Sequence, residues 1–530
     1  MNRWLAVVGC AALAPAAAAQ DSAAVDSMRV VRAIELRRLN IFDPTEATSL
    51  LPRLANSLHA TTRASVVRRE LLFRPGQPYD SAAVAETARN LRSLGIFRSV
   101  AIDSVRSDSG LVLRVTTGDG WSTRPDFRFQ STGSHVIYTL AVEELNFLGT
   151  ATLLALRYRK DPDRSTVIGT FRQARLFAGR VGLAAQYADR SDGRLGFAEL
   201  SKPFFSLSGR SSWRTGAEAR SERVLRFFNG SETAGDTLQH RYAVGYGSVG
   251  WALRAGPSGY LRLGSSGQIR REDFAEEARA DTLRRTITGA VGAFLQWRRA
   301  RYIVSEGFQG IARQEDIDVS TAAMAGLFLA PRAFGYDDDG VVPFLTVQTA
   351  FGRPGGFVQL TGTAAGRYTS AGLDSGSVHV AATGYLIPGP RHLATLHGAT
   401  GWQERAAPGA EFDLGFVRGP RAFRQHAFTG DRAFFTSGEY RWTATDNFLN
   451  LTAIGLAAFV DFGGAWYHGE KRRTGWDAGA GLRLGLSRAT DVGSTRVDLA
   501  YRGKNDAEKG GWVVVVGKGF AFALNGRLDQ

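Results

Sequence analysis

Residues 495–522 read TRVDLAYRGKNDAEKGGWVVVVGKGFAF, and the character of their side chains changes at almost every step. Val497, Leu499 and Tyr501 interleave with Arg496, Asp498 and Ala500. After a polar turn, Trp512, Val514, Val516, Phe520 and Phe522 share one face. Successive side chains of a β-strand point to opposite faces, so each run is a strand with one apolar face and one polar or small face. The pattern recurs far upstream, where Leu154, Leu156 and Tyr158 alternate with Ala155, Arg157 and Arg159. Such strands, separated by turn residues, are the signature of a transmembrane β-barrel. Strands of a soluble sandwich alternate too, but two features oppose that reading. The inner face carries Gly479, Gly481, Arg483 and Gly485, which would make a poor dry core. Tyr440, Trp442, Trp466 and Trp476 fall near strand ends, where a membrane-interface girdle wants aromatics. About 410 residues follow position 120, which allots about 25 to each strand and connection of a barrel of about sixteen strands. Candidate strands exceed sixteen by two or three, so some between residues 205 and 370 are expected to be hairpins outside the membrane.

The opposite end of the chain carries an export signal. Arg3, the apolar run Trp4 to Leu13, and Ala17-Ala18-Ala19 before Gln20 form a secretory signal peptide over residues 1–19. Pro15 interrupts the apolar run, which is too short for a membrane anchor. Cys10 is the one cysteine of the 530 residues, and a cut after Ala19 leaves no thiol for a disulfide or a metal site. No later stretch offers some eighteen consecutive apolar residues, so a transmembrane helix is not expected. The net charge of +15 is mostly arginine spread along the chain rather than in blocks. An exported chain has no nucleic acid to meet, so those arginines are expected to face lipopolysaccharide phosphates or a wet lumen.

Residues 28–118 have a different rhythm. Val31 to Ile41 reads as a strand, and a polar insertion with Pro44 and Pro52 follows. Ser65 is a candidate N-cap for a helix from Val66 to Phe73, ended by Pro75-Gly76. Asp80 or Ser81 caps a second helix, with Val84, Ala88 and Leu91 at helical spacing. Two strands follow, around a turn at Ser107 to Gly110. The expected order is strand, helix, helix, strand, strand. Within it, VVRRELLFRPGQPYDSAAVAETARNLRSLGIFRSVAID at 66–103 resembles a POTRA domain, with its RREL helix, G-Q-P-Y-D and L-G-I-F elements.

The C-terminal third supplies the second resemblance. GPRAFRQHAFTGDRAFFTSGEYRW (419–442), AAFVDFGGAW (457–466), DAGAGLRLGL (477–486), TRVDLAY and VVVVGKGFAF occur in that order. Together they resemble the end of an Omp85-superfamily (D15-type) barrel. The resemblance implies a long loop folded into the lumen, whose R-G-[FY] motif arginine contacts acids on the inner wall. The motif maps to Arg421-Ala422-Phe423, with Ala in place of the family Gly. Arg418-Gly419-Pro420 is an alternative register that restores the Gly and loses the aromatic. Strand parity points Glu439 inward between Gly438 and Tyr440, and Asp461 inward between Val460 and Phe462. Two such carboxylates on neighbouring strands can share one guanidinium through charge-assisted hydrogen bonds.

Chemistry of other kinds is sparse. Neither G-x-S-x-G nor H-E-x-x-H occurs, so no catalytic residues, metal ligands or cofactor are assigned and an enzyme is not expected. Asp337-Asp338-Asp339-Gly340 reads as a solvated turn, because no ligating Glu follows at Ca²⁺-loop distance. His392 and His397 have an odd separation that puts them on opposite faces of a strand. The expected protein is a bacterial outer-membrane barrel at 121–530, with one POTRA-like domain at 28–118 in the periplasm. The resemblance implies an assembly or translocation factor for unfolded outer-membrane or secreted proteins, in contact with outer-membrane lipid and lipopolysaccharide and with accessory periplasmic proteins. Clients would add a strand to the domain's sheet edge and meet a weak barrel seam. That seam joins Phe127 and Phe129 to Trp512, Gly517, Gly519, Phe520 and Phe522, where the glycines weaken pairing. The competing readings are a passive transport pore and an outer-membrane enzyme.

Overall fold

The computed structural model describes residues 30–42, 45, 50–107, 110–132, 135–176, 180–225, 227–228, 231–232, 237–276, 282–306, 308, 314–406, 409–416, 418–449, 452–486, 494–506 and 508–518. The signal peptide with Cys10, and the seam residues Gly519, Phe520 and Phe522, lie outside them.

The first unit comprises β1 (Val31–Leu39), α1 (Leu50–Leu58), α2 (Ala64–Glu70), α3 (Ser81–Ser93), β2 (Phe97–Ser107) and β3 (Gly110–Asp119). Its sheet runs β1-β3-β2, with β3 parallel to β1 and antiparallel to β2. Helices α2 and α3 cover one face, and Val31, Val67, Leu91, Ile96, Phe97 and Leu113 form the heart of the core. Asp80 caps α3 through Oδ1, which accepts from the backbone N–H of Ala82 (2.8 Å) and Ala83 (3.2 Å).

Two local expectations are corrected. The helix α1 lies in the stretch read as a polar insertion with Pro44 and Pro52; Pro52 falls in its first turn, where N–H groups are free and proline is tolerated. Ser65 is not the cap of α2; Arg63 precedes the helix without a side-chain bond. The helix begins two residues early because Thr62 is pinned by the Asp119 carboxylate, which accepts from its N–H (2.7 Å) and hydroxyl (3.0 Å).

The second unit is a closed antiparallel ring of strands. Strands β4 to β8 are Thr123–Thr132, His135–Glu144, Thr152–Lys160, Ser165–Leu176 and Val181–Arg190. Strands β9 to β13 are Gly193–Lys202, Ser211–Val224, Leu238–Gly256, Gly259–Glu276 and Thr282–Arg299. Strands β14 to β18 are Thr321–Ala330, Gly340–Arg353, Gly356–Thr369, Gly372–Gly389 and His392–Glu404. Strands β19 to β23 are Arg432–Phe448, Thr452–Trp466, Gly475–Leu486, Thr495–Arg502 and Gly511–Lys518. Each neighbours the next, and β23 lies beside β4.

The ring therefore holds twenty strands among the described residues, where about sixteen were expected. The allotment per strand was too generous because connections are short: Gly256 leads to Gly259 and Arg353 to Gly356. The stretches between 205 and 370 that had been assigned to outside hairpins are mostly ring strands. One of them, Tyr302–Glu306 with Gln314–Asp318, is a separate hairpin. No helix among the described residues is long and apolar enough to cross a membrane.

Parity runs around the ring. Along β17, His379, Ala381, Thr383 and Tyr385 are buried inward, while Val378, Val380 and Leu386 are exposed outward. Because β4 leaves the first unit, connections after odd-numbered strands return to that unit's end of the barrel, and those after even-numbered strands lie at the far end. The first unit is fastened to its own end. Arg92 makes a two-bond fork to Asp316 (2.6 and 3.0 Å), Arg175 pairs with Glu70 (2.9 Å), and the Leu207 N–H donates to Glu86 (2.5 Å).

Leu91 is fully buried in the first unit. Leu91→Ala should cost about 2–5 kcal/mol there and make that unit protease-sensitive. The barrel has its own interactions, so its faster gel migration when unheated should persist. Loss of both together would mean the units do not fold separately.

Candidate lock inside the barrel

The connection from β18 to β19 is the long far-end loop that carries the sequence motif. Its short strands Phe412–Leu414 and Phe428–Gly430 pair with each other, and Phe412, Leu414, Phe423 and Phe428 pack on Ala433 and Ala465 of the inner wall. An apolar anchor thus holds the loop back inside the barrel. It delivers Arg421, which has no exposed surface.

The Arg421 guanidinium forks onto Asp461, with Nε to Oδ2 at 2.6 Å and Nη2 to Oδ1 at 3.2 Å. Its Nη1 donates to Glu439 (3.0 Å) and to Asp498 (3.1 Å). The cation also lies over the Phe459 ring, 3.6 Å from the centroid. Burial alone would lower the Arg421 pKa, but Asp461 and Glu439 reverse this and raise it, so the group stays charged. The next backbone N–H, of Ala422, donates to Asp477 (3.0 Å), and the Ser437 hydroxyl donates to Asp461 (2.7 Å). Arg441 bonds Glu439 (2.5 Å), while Arg483 bonds Asp498 (2.6 Å) and faces Glu439 (3.1 Å).

The structure thus brings together Arg421, Glu439 and Asp461, and seats Phe423 beside them against Phe428, ring centroids 5.1 Å apart. Sequence reasoning missed Asp498, Asp477, Arg441 and Arg483 as members of the group. The signal was available: Asp498 lies between Val497 and Leu499, and the same parity that turned Glu439 inward turns it inward too. Ala422 fits because its φ is not positive; Gly419 (φ 119°) and His426 (φ 60°) carry the left-handed backbone instead. Arg418 is half-buried on a tight turn closed by two backbone bonds with Gly415 (2.8 and 3.0 Å).

Two wall glycines provide room. A Cβ on Gly481 would stand 2.2 Å from Asp498 Oδ1, and one on Gly475 would stand 2.4 Å from the Phe423 ring. Gly517 has a similar role on β23, where a Cβ would meet the Arg496 guanidinium at 2.5 Å. Of the other seam residues, Phe127 and Trp512 are 65% and 67% exposed on the outer face, and Phe129 also points outward.

The loop is also tied at its tip. His426 Nδ1 meets Asp413 (2.5 Å), its Nε2 meets Asp163 (2.8 Å), and the ring stacks on Phe227 at 3.7 Å. Burial alone would push the imidazole down; its bonds to Asp163 and Asp413 outweigh this and hold it at about 9. Elsewhere, Arg332 bonds Asp338 (2.6 Å) and its N–H donates to Asp339 (2.8 Å), so that acidic turn carries its own cation. His397 is buried against Thr383, and His392 points outward to Tyr440. No cluster of three or more His, Cys, Asp or Glu side chains fit to hold a metal occurs among the described residues.

Residues 57–118 match the family model for POTRA, described as a surface antigen variable number repeat. A POTRA domain fastened to a closed antiparallel barrel, with an arginine-bearing loop folded inside, is the architecture the sequence motifs pointed to. Three solved structures are similar to this chain at low identity. BamA from Haemophilus ducreyi lacking POTRA domains 1–3 is 13% identical, with TM-score 0.37, covering 93% of this chain and 84% of its own. CdiB from Escherichia coli is 12% identical, with TM-score 0.47, over 93% and 77%. CdiB from Acinetobacter baumannii is 10% identical, with TM-score 0.42, over 93% and 74%. A search of curated protein sequences gave no significant match.

Arg421→Ala leaves three carboxylates without a shared cation and should cost about 3–5 kcal/mol, as for a broken buried ion pair. It should be read as a lower temperature for loss of the fast-migrating folded band. Arg421→Lys should rescue poorly, because an ammonium has no planar fork. Arg418→Ala should be mild; the reverse ranking would transfer the motif to Arg418. The His426 ties predict a pH response. Its folded pKa lies above the unfolded value of about 6.5, so its stabilisation is complete below that pH and is lost as pH rises through about 9. Folded-band stability should fall across that window in wild type and be flat in His426→Gln.

Proposed function

We propose that this protein is an outer-membrane assembly or translocation factor acting on unfolded outer-membrane or secreted proteins, with its POTRA domain in the periplasm. The observation that carries the reading is the POTRA domain bonded to one mouth of a barrel whose lumen is filled by an ion-locked loop. A passive pore has no use for such a domain, and the locked loop obstructs conduction. Strand β2 lies at the edge of the three-stranded sheet, pairing with β3 on one side. An extended client segment can add there by backbone hydrogen bonds, as strand addition does elsewhere.

The client would pass from that edge to the junction of β23 and β4. An open strand edge in lipid is costly because its N–H and C=O groups have no water to bond, so a client strand that pairs with it is taken up favourably. The lock serves this reading by holding β19 to β22 rigid while the neighbouring junction yields. Lipid and lipopolysaccharide would meet the outer aromatics, including Trp442, Trp476 and Trp512, and accessory periplasmic proteins would meet the POTRA domain.

The protein should fractionate with the outer membrane, and depletion should lower the amounts of other barrels or of one secreted client. Deleting residues 28–118 should leave a heat-modifiable barrel without that activity. A depletion that changes only solute uptake would support the pore reading instead.

A further inference from the structure

The connection from β13 to β14 is not a simple turn. Tyr302–Glu306 pairs with Gln314–Asp318 as a hairpin in which Ile303 faces Ile317. Ile303, Phe308, Ile317 and Val319 are buried against Ala350, Phe357, Tyr385, Leu393 and Phe435. Those five residues belong to β15 to β19, and all are on the inward face, since their neighbours Phe351, Val358 and Leu386 are exposed outward. The described residues of the hairpin, Tyr302–Glu306, Phe308 and Gln314–Asp318, therefore lie inside the barrel mouth on the POTRA side. Phe308 packs at a tilt against Tyr385 and Phe357, with ring centroids 4.8 and 5.8 Å away. It also shares a cavity of only about 30 Å³ with Leu393, Arg441 and Arg483. The hairpin thus reaches from the POTRA side to the underside of the lock, which descends from the far side.

Its base is fixed to the wall. Arg298 bonds Asp318 (2.5 Å), and Gln359 donates to the Asp318 carbonyl (2.9 Å). Its other strand is held by the POTRA domain: the Arg92 fork on Asp316 comes from α3, and Arg89 of the same helix lies 4.5 Å from the Tyr302 ring centroid. Next to these contacts is a cavity of about 510 Å³ between α3, the hairpin and the rim residues Phe204 and Arg262. The hairpin thus has a greasy face inside the lumen, a latch on the domain and open space beside it.

We infer that the Tyr302–Asp318 hairpin is a second plug, which closes the lumen from the periplasmic side and is latched by Arg92–Asp316, so that displacing the POTRA domain withdraws it. A lumen needs water-compatible walls, whereas Phe357, Tyr385, Leu393 and Phe435 make an apolar patch that only a covering element justifies. The contact inside is apolar and non-directional, so it can part and re-form. The latch outside is a directional fork, so it reads the position of α3. The orientation rests on the function proposed above; the closure itself does not.

The test is conductance of the purified full-length protein in planar bilayers. Replacing residues 302–318 by a short Gly-Ser linker should raise conductance several-fold while leaving the unheated folded band intact. Arg92→Glu alone should raise the open fraction, and Arg92→Glu with Asp316→Arg should restore wild-type closure. Phe308→Cys with Tyr385→Cys, once oxidised, should abolish the effect of Arg92→Glu. Unchanged conductance in the folded hairpin replacement would overturn the plug. An effect of the replacement without an effect of Arg92→Glu would overturn the latch. Client assembly plays no part in this assay, so failure of the assembly reading would show up separately, in the depletion experiment.

Discussion

One guanidinium sets the constraint that the C-terminal half of the barrel obeys. Taking Arg421 and its partners out of water costs several kcal/mol per ion, and only near-complete pairing offsets that. The structure meets the requirement collectively. Three inward carboxylates, Glu439, Asp461 and Asp498, share Arg421, and Arg441 and Arg483 add ion pairs to Glu439 and Asp498. Glu439 is shared by Arg421, Arg441 and Arg483, so no member can be removed without unbalancing another. The network also fixes register. A one-residue slip of β20 or β22 would turn Asp461 or Asp498 toward lipid and bring Val460 or Leu499 inside. The lock is thus a device of specificity at least as much as of stability.

The wall is shaped to receive that charge cluster. A strand lined by bulky residues could not accept a loop and its arginine together, and β21 accordingly presents Gly475, Gly479 and Gly481 inward. Gly481 admits the Asp498 carboxylate, and Gly475 admits Phe423. Glycine weakens a strand through lost packing and backbone entropy, a cost that the pairing of β21 with both β20 and β22 offsets. Gly517 belongs to the same scheme. Sequence alone suggested that it loosens the last strand; the structure adds that it clears space for Arg496. The two effects coexist, so the strand proposed to open is also one whose inner face is committed to the charge cluster.

What was legible in the sequence is what strand parity can carry. Parity placed Glu439 and Asp461 on the inner wall, and the motif placed Arg421 on a returning loop; the structure brings the three together. Parity applied evenly would have added Asp477 and Asp498. Arg441 and Arg483 were harder to find, because whether an inward arginine faces water or a carboxylate depends on which strands meet across the lumen. The helix at Leu50–Leu58 went unread because its stretch was taken as a polar insertion with Pro44 and Pro52, although Pro52 sits in a first turn. The strand number was misjudged because it depends on how short the turns are. The hairpin at 302–318 looks in sequence like any alternating strand pair, and only the apolar patch across the lumen distinguishes it.

That patch and the acid cluster close the same lumen by opposite physics, and the contrast assigns their roles. The loop from the far side is held by a bidentate, fully desolvated cation. Withdrawing it would expose uncompensated buried charge at every intermediate position, so it resists gradual movement. The hairpin from the POTRA side is held inside by Ile303, Phe308 and Ile317, whose contacts scale with the apolar area removed from water and can be given up piece by piece. Of the two closures, the hairpin is the one with an ion pair to the POTRA domain. Under the function proposed above, a barrel sealed at rest that still responds to a client at one mouth needs one closure that does not move and one that does. The ionic loop is suited to the first and the apolar hairpin to the second, and Arg441 and Arg483, which line the gap between them, are where movement of one would be felt by the other.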